Sequence, residues 1–244
     1  MSPTTPAVLA THDDVQRQPP GRRVVDAPTR MFHWLLAVSF TGAWLTAEVD
    51  GLETVHTALG YSMAGLLVFR LLYGLLGPRQ VRLSAMFARA SGLPAWLQRA
   101  WQSMRTLGRP GQGAAPAVNW SQGLGIAAGA IAVTMLLLIA PLVLSGLGTL
   151  DEWGGHRVAE MTEEVHEFAA NLLLGLVLAH LASLVVLSLL RRRNEAARMF
   201  TGRVSGPGPD IARRNHAWLA ALLLAGVLGY WGWEALQAFG PAAL

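Results

Sequence analysis

Five stretches of about twenty apolar residues each, joined by connections that are alternately rich in arginine and rich in acid, dictate most of what this 244-residue chain can fold into. They cover roughly residues 30–47, 54–77 (stopped by Pro78), 123–146 (interrupted at Pro141), 164–190 and 216–236. A helix of about 20 apolar residues spans the hydrocarbon core of a bilayer. A helix also satisfies its own backbone where no water is present. The composition agrees, with 52% hydrophobic residues, 14% charged and a mean hydropathy of +0.37. These values lie outside the soluble globular range. The chain is therefore expected to be an all-α integral membrane protein with lipid as its surroundings.

The charges set a direction. There is no lysine, and 18 of the 19 arginines fall on one side of the five spans: in residues 1–30, at Arg70 near the end of span two, between spans two and three, and between spans four and five. Only Arg157 falls on the other side, among Glu48, Asp50, Glu53, Asp151, Glu152, Glu160, Glu163 and Glu164. The positive-inside rule then puts the N-terminus in the cytoplasm and the C-terminus in the periplasm of a bacterial inner membrane. The high pI of about 10.6 is thus a topology signal, and nucleic acid is not expected as a partner. Residues 1–21, polar and proline-rich with no apolar core before a cleavage site, read as a disordered cytoplasmic tail. Residues 94–107 read as a helix in the cytoplasmic interface, with Leu97, Trp101 and Met104 near one face.

Histidines then carry the chemistry. His166 and His180 stand 14 residues apart on span four. That is just under four turns, so both leave nearly one face, roughly 21 Å apart along the axis. His56 and His166 each lie a few residues below an acidic outer loop, whereas His33, 15 residues from Glu48, shares the deeper level of His180. Intramembrane ionisable groups need a reason. Two histidines at each of two depths, drawn from facing helices, suit two stacked haems with two axial imidazoles each: His33 with His180, and His56 with His166. Levels this far apart cannot form one tetrahedral zinc site. The absence of cysteine excludes thiolate clusters and covalent c-type attachment, so any haem is held non-covalently.

Arg70 lies 14 residues from His56 and reaches the inner level on roughly the same face. A haem propionate is one natural partner, and a snorkelling position at the boundary is the other reading. Gly42, Gly60, Gly65 and Gly175 would let a macrocycle approach, or serve helix packing. His12, His156 and His216 read as non-ligands, His156 being the one substitute for an outer ligand.

At these residues the chain resembles the prokaryotic cytochrome b561 family, which includes the b-type cytochrome subunits of nickel–iron hydrogenases. The resemblance rests on three pieces. The first is Arg23-Val-Val-Asp-Ala-Pro-Thr-Arg-Met-Phe-His-Trp34. The second is His56-Thr-Ala-Leu-Gly60, running on to Phe69, Arg70 and Tyr73. The third is His166-Glu-Phe-Ala-Ala-Asn-Leu-Leu-Leu-Gly175, running on to His180. The resemblance implies a four-helix transmembrane core over residues 22–203 binding two haem b groups, with the four matching histidines as axial ligands. Residues 204–244 then form an extension with a fifth transmembrane helix.

It also implies electron exchange between a partner outside and a membrane quinone or another carrier; the expected periplasmic redox partner is a c-type cytochrome or a hydrogenase. On this reading the chain is an electron-transfer subunit within or beside a quinone-linked oxidoreductase. The acidic outer rim would steer a basic partner. Trp34 and the Arg30 region are weak candidates for a quinone site, and a homodimer is left open. The competing reading is a non-redox transporter or proton-relay protein using buried histidines. It would need a file of polar groups between the levels, and the spans offer little beyond Ser39, Thr41, Ser62 and Asn171.

Overall fold

The computed structural model describes residues 21–106, 118–151 and 153–239. The tail expected to be disordered lies outside them up to residue 20, as do Leu107, Arg109 and Glu152. Eight helices follow in order: α1 (Ala27–Thr46), α2 (Glu53–Leu76), α3 (Leu83–Ala90), α4 (Leu93–Thr106), α5 (Trp120–Leu150), α6 (His156–Arg191), α7 (Ala197–Thr201) and α8 (Ala217–Phe239). Two short strands, β1 (Arg22–Arg23) and β2 (Arg203–Val204), pair antiparallel.

Helix ends follow local chemistry. Asp26 caps α1, its side chain accepting from the Thr29 amide at 3.2 Å, with Pro28 in the first turn where its missing N–H costs nothing. Asn119 caps α5 in the same way through Gln122. Gly155, at φ 84°, turns the chain into α6 through a backbone region that L side chains rarely adopt. Pro141 lies inside α5, which runs unbroken past it, so the expected interruption is corrected. The freed backbone carbonyl of a membrane proline can be accommodated by small local adjustments of the helix.

Helices α2, α5, α6 and α8 are each long and apolar enough to cross a membrane. Helix α1 has the length, at 20 residues, but not the apolarity, because Arg30, His33, Ser39 and Thr41 dilute it. The five expected spans thus resolve into four that meet both criteria and α1, which meets length alone. Helix α6 starts eight residues before its apolar stretch. Its 36 residues extend about 54 Å, well beyond the hydrocarbon core. The helix expected over 94–107 is α4, with Leu97, Trp101 and Met104 exposed.

Helices α1 and α2 form one antiparallel pair and α5 and α6 another, joined where α2 packs on α5. Helix α8 lies along α1 and touches α2. The Trp231 indole N–H donates to the Ser62 hydroxyl at 2.7 Å, pinning α8 to α2. A continuous core draws on all five, including Phe40, Met63, Leu66, Ile139, Leu173 and Val227. Helix α6 packs tightly on α5 but makes few close backbone approaches to α1 or α2.

At the arginine-rich end, the connection after α6 folds back over the start of α1. Arg30 donates to the Phe200 carbonyl at 2.6 Å and the Trp34 indole to the Met199 carbonyl at 3.2 Å. The Ala27 amide meets both the side chain and the carbonyl of Asn215.

Candidate cofactor site

The four candidate histidines lie on three helices: His33 on α1, His56 on α2, and His166 and His180 on α6. At the acidic end, His56 on α2 and His166 on α6 face one another with ring centroids 6.0 Å apart and planes at 73°. Each ring is fixed by a backbone carbonyl: His56 Nδ1 lies 2.8 Å from the Ala43 oxygen, and His166 Nδ1 lies 2.9 Å from the Leu142 oxygen. A carbonyl only accepts, so it holds the proton on Nδ1 and leaves Nε2 with its lone pair free, the tautomer a metal ligand needs.

Gly146 supports this placement. A Cβ there would stand 2.9 Å from both Cε1 and Nδ1 of His166. The absent side chain is what lets the ring lie against α5.

At the arginine-rich end, His33 on α1 and His180 on α6 are close enough to interact electrostatically. The His33 ring meets Trp34 edge-on at 5.3 Å. His180 Nδ1 is buried without a hydrogen-bond partner. An orphaned buried polar atom costs about 1–3 kcal/mol unless something satisfies it. Arg198 on α7 acts electrostatically on His180. Along α6 the two histidine levels are 14 residues apart on one unbroken helix, roughly 21 Å.

Arg70 is buried on α2. It donates to the Val81 carbonyl at 3.0 Å and reaches Met86 Sδ at 3.7 Å. It also feels Asp26 and Tyr73. Asp26 is fully buried and accepts from the Tyr73 hydroxyl at 2.6 Å. The guanidinium has five N–H donors, so donors remain beyond these contacts. His156 is exposed and pairs with Glu160 at 3.2 Å. His216 lies just before α8, and His12 is outside the described residues. Trp34 and Arg30 are engaged by the connection after α6.

The residues fit a flat metal macrocycle held between two imidazoles. Two metal–imidazole bonds of about 2 Å each, plus half a ring on either side, match the 6.0 Å between the acidic-end rings. Among the described residues no three His, Asp or Glu side chains gather as a tetrahedral ion would require. At the acidic end two histidines face one another.

The supporting roles of Gly146, the Ala43 and Leu142 carbonyls, Arg198, Asp26 and Tyr73 were not picked out from the sequence, although Asp26 and Tyr73 stand in the pieces that carry the family resemblance.

The family model described as "Prokaryotic cytochrome b561" matches residues 24–202. That stretch contains all four histidines and ends before α8. No curated protein and no solved structure matches the chain.

Proposed function

Because this chain belongs to the prokaryotic cytochrome b561 family, a family of multi-pass inner-membrane electron carriers using b-type haem, we propose that it carries electrons across the membrane between a quinone pool and a periplasmic redox partner. His56 and His166 would hold one haem b, and His33 and His180 a second. Haem b, when bound, would supply a one-electron ferric–ferrous couple, and a haem held by two imidazoles would serve electron transfer rather than chemistry on oxygen or substrate.

The chain's own residues do the rest. The Ala43 and Leu142 carbonyls orient the acidic-end rings and set their tautomer. Phe40, Met63, Leu66 and Ile139 wall the interior with apolar surface and exclude water. Arg70 and Arg198 set positive charge at the arginine-rich level, where it can meet propionate carboxylates. The charge asymmetry of the connections supports a cytoplasmic N-terminus. The acidic face, with Glu48, Asp50, Glu53, Glu163 and Glu164, would receive a basic partner such as a c-type cytochrome, or a hydrogenase.

The observation that carries this reading is the facing His56–His166 pair with each Nδ1 tied to a helix carbonyl. The test is a haem count per chain, with oxidised and reduced absorption spectra of the protein purified in detergent. Two low-spin b-type haems are the expected result. Well-folded protein without haem would overturn the reading and leave a proton-relay or transport role for the histidines.

A further inference from the structure

A second feature lies on the opposite side of α2 from the histidines. Helices α2 and α8 enclose a lateral cavity of about 660 Å³, within the range of small-molecule sites. Its wall runs along α8 from Leu219 to Glu234, a length of roughly 22 Å. The character changes along that length. Near the arginine-rich end it is lined by Phe69, Leu222 and Leu223; near the acidic end it carries Tyr61, Tyr230 and Glu234. Tyr230 stands one helical turn before Glu234 on α8, and Tyr61 of α2 lines the same cavity. A carboxylate beside two phenols, about one and a half turns from the end of a membrane helix, is an ionisable cluster in an apolar setting and calls for a function.

From this cavity we infer a binding site for an isoprenoid quinol, with its hydroxylated ring against Glu234, Tyr230 and Tyr61 and its tail along the apolar length toward Leu219. The inference rests on the quinone-linked reading above and gives it a location. A polar ring on a long apolar tail matches the polarity gradient of the groove. A quinol hydroxyl donates to a carboxylate, and the phenols can donate to the quinone carbonyls. A phospholipid fits less well, because it would bring an anionic phosphate against Glu234 and its head belongs at the surface rather than below it. The ring would sit at the depth of Tyr61, five residues along α2 from His56, and one helix diameter of about 10 Å from the acidic-end pair. Helix α8 lies outside the region matched by the family, so one wall of this site belongs to the extension of this chain and the other to the matched region.

The groove can be filled without disturbing the fold. A Cβ at Gly65 or Gly226, both in its lining, meets nothing within 4 Å. The experiment is photolabelling of the full-length protein in nanodiscs with an azido-quinone, peptide mapping by mass spectrometry, and haem content read on the same samples. Labels within residues 61–69 or 219–234, competed by decylubiquinone and reduced about tenfold in the double variant Gly65→Leu/Gly226→Leu, are expected. Glu234→Gln should weaken competition several-fold. Labels confined to other helices, labels unchanged in the filled variant, or equal competition by phosphatidylglycerol would overturn the inference. Two haems with no groove label would sink this site and spare the cytochrome reading. Groove label on haem-free protein would do the reverse.

Discussion

The two histidine levels are built on different principles. The acidic-end pair is organised by helix backbone alone: two carbonyls hold two rings, and a glycine makes room for one of them. The arginine-end pair has no such anchors, and His180 Nδ1 is buried without a partner. What surrounds that pair is charge, from Arg198 on a short helix, together with the connection that folds over Trp34 and Arg30. One level is therefore set by rigid spans, whereas the other is completed by a cap of loops. The first should tolerate changes in the cap, and the second should tolerate changes in α5.

The largest test of this division is removal of a ligand at each level. His166→Ala should cut the haem count from two per chain to one, with the surviving spectrum that of the arginine-end level. His180→Ala should leave the complementary spectrum. Pyridine haemochrome titration and low-temperature EPR of each variant decide it. If either substitution removes both haems, the levels are not independent and the comparison fails.

A subtler break targets the room beside His166. Gly146→Val would place a side chain where even a Cβ stands 2.9 Å from the ring. The ring must leave the Leu142 carbonyl, and loss of such an orienting contact costs about 10–100-fold in metal affinity. Haem should be lost from the acidic-end level alone. Gly175→Ala, at a position open within 4 Å, should change nothing in the same spectra.

On the other side of the comparison stands Asp26. It caps the helix that carries His33, accepts from Tyr73 and neighbours Arg70. Asp26→Ala removes a cap worth about 1 kcal/mol and strands buried partners at a further cost of about 1–3 kcal/mol. A fall in the detergent melting temperature, with haem lost first from the arginine-end level, is the expected outcome. Equal loss from both levels would show that α1 serves the whole bundle rather than that level.

The histidine spacing was legible because it is one-dimensional: 14 residues on a helix fix both depth and face, and acidic loops mark the zero of depth. The spans were legible because apolarity is local. The supports were not. Any residue has a carbonyl, so nothing in the identities of Ala43 and Leu142 marks them as anchors for rings on other helices. Gly146 looks like any packing glycine until the ring of a residue 20 positions later lies against it. The two extra turns at the start of α6 carry Arg157, Glu160 and Glu163, which give no hydropathy signal although the helix simply continues into water. The groove between α2 and α8 joins residues more than 150 positions apart, and periodicity within one helix cannot reveal it.

The smallest effect concerns the cap itself. Glu195 is buried at 4% exposure and meets Arg193 at 2.8 Å, Arg191 at 3.3 Å and Arg198 at 3.6 Å. Burial alone would raise its pKa, but hydrogen bonds and charge from Arg193 and Arg191 outweigh it and hold the carboxyl below its usual range. A carboxylate with a depressed folded-state pKa adds stability that is complete above its unfolded value, about 4.3, and that disappears as pH falls through the folded value. The cap should therefore loosen only in acid, and Arg198 would then be freed from its carboxylate. Glu195→Gln should reproduce that state at neutral pH, lowering stability by about 1 kcal/mol and flattening its acid dependence. Because Arg198 faces His180, the midpoint potential of the arginine-end haem should move in the variant while the acidic-end potential stays fixed. A redox titration in which both potentials shift together would show that the cap and the spans act as one unit, contrary to the division drawn between the two levels.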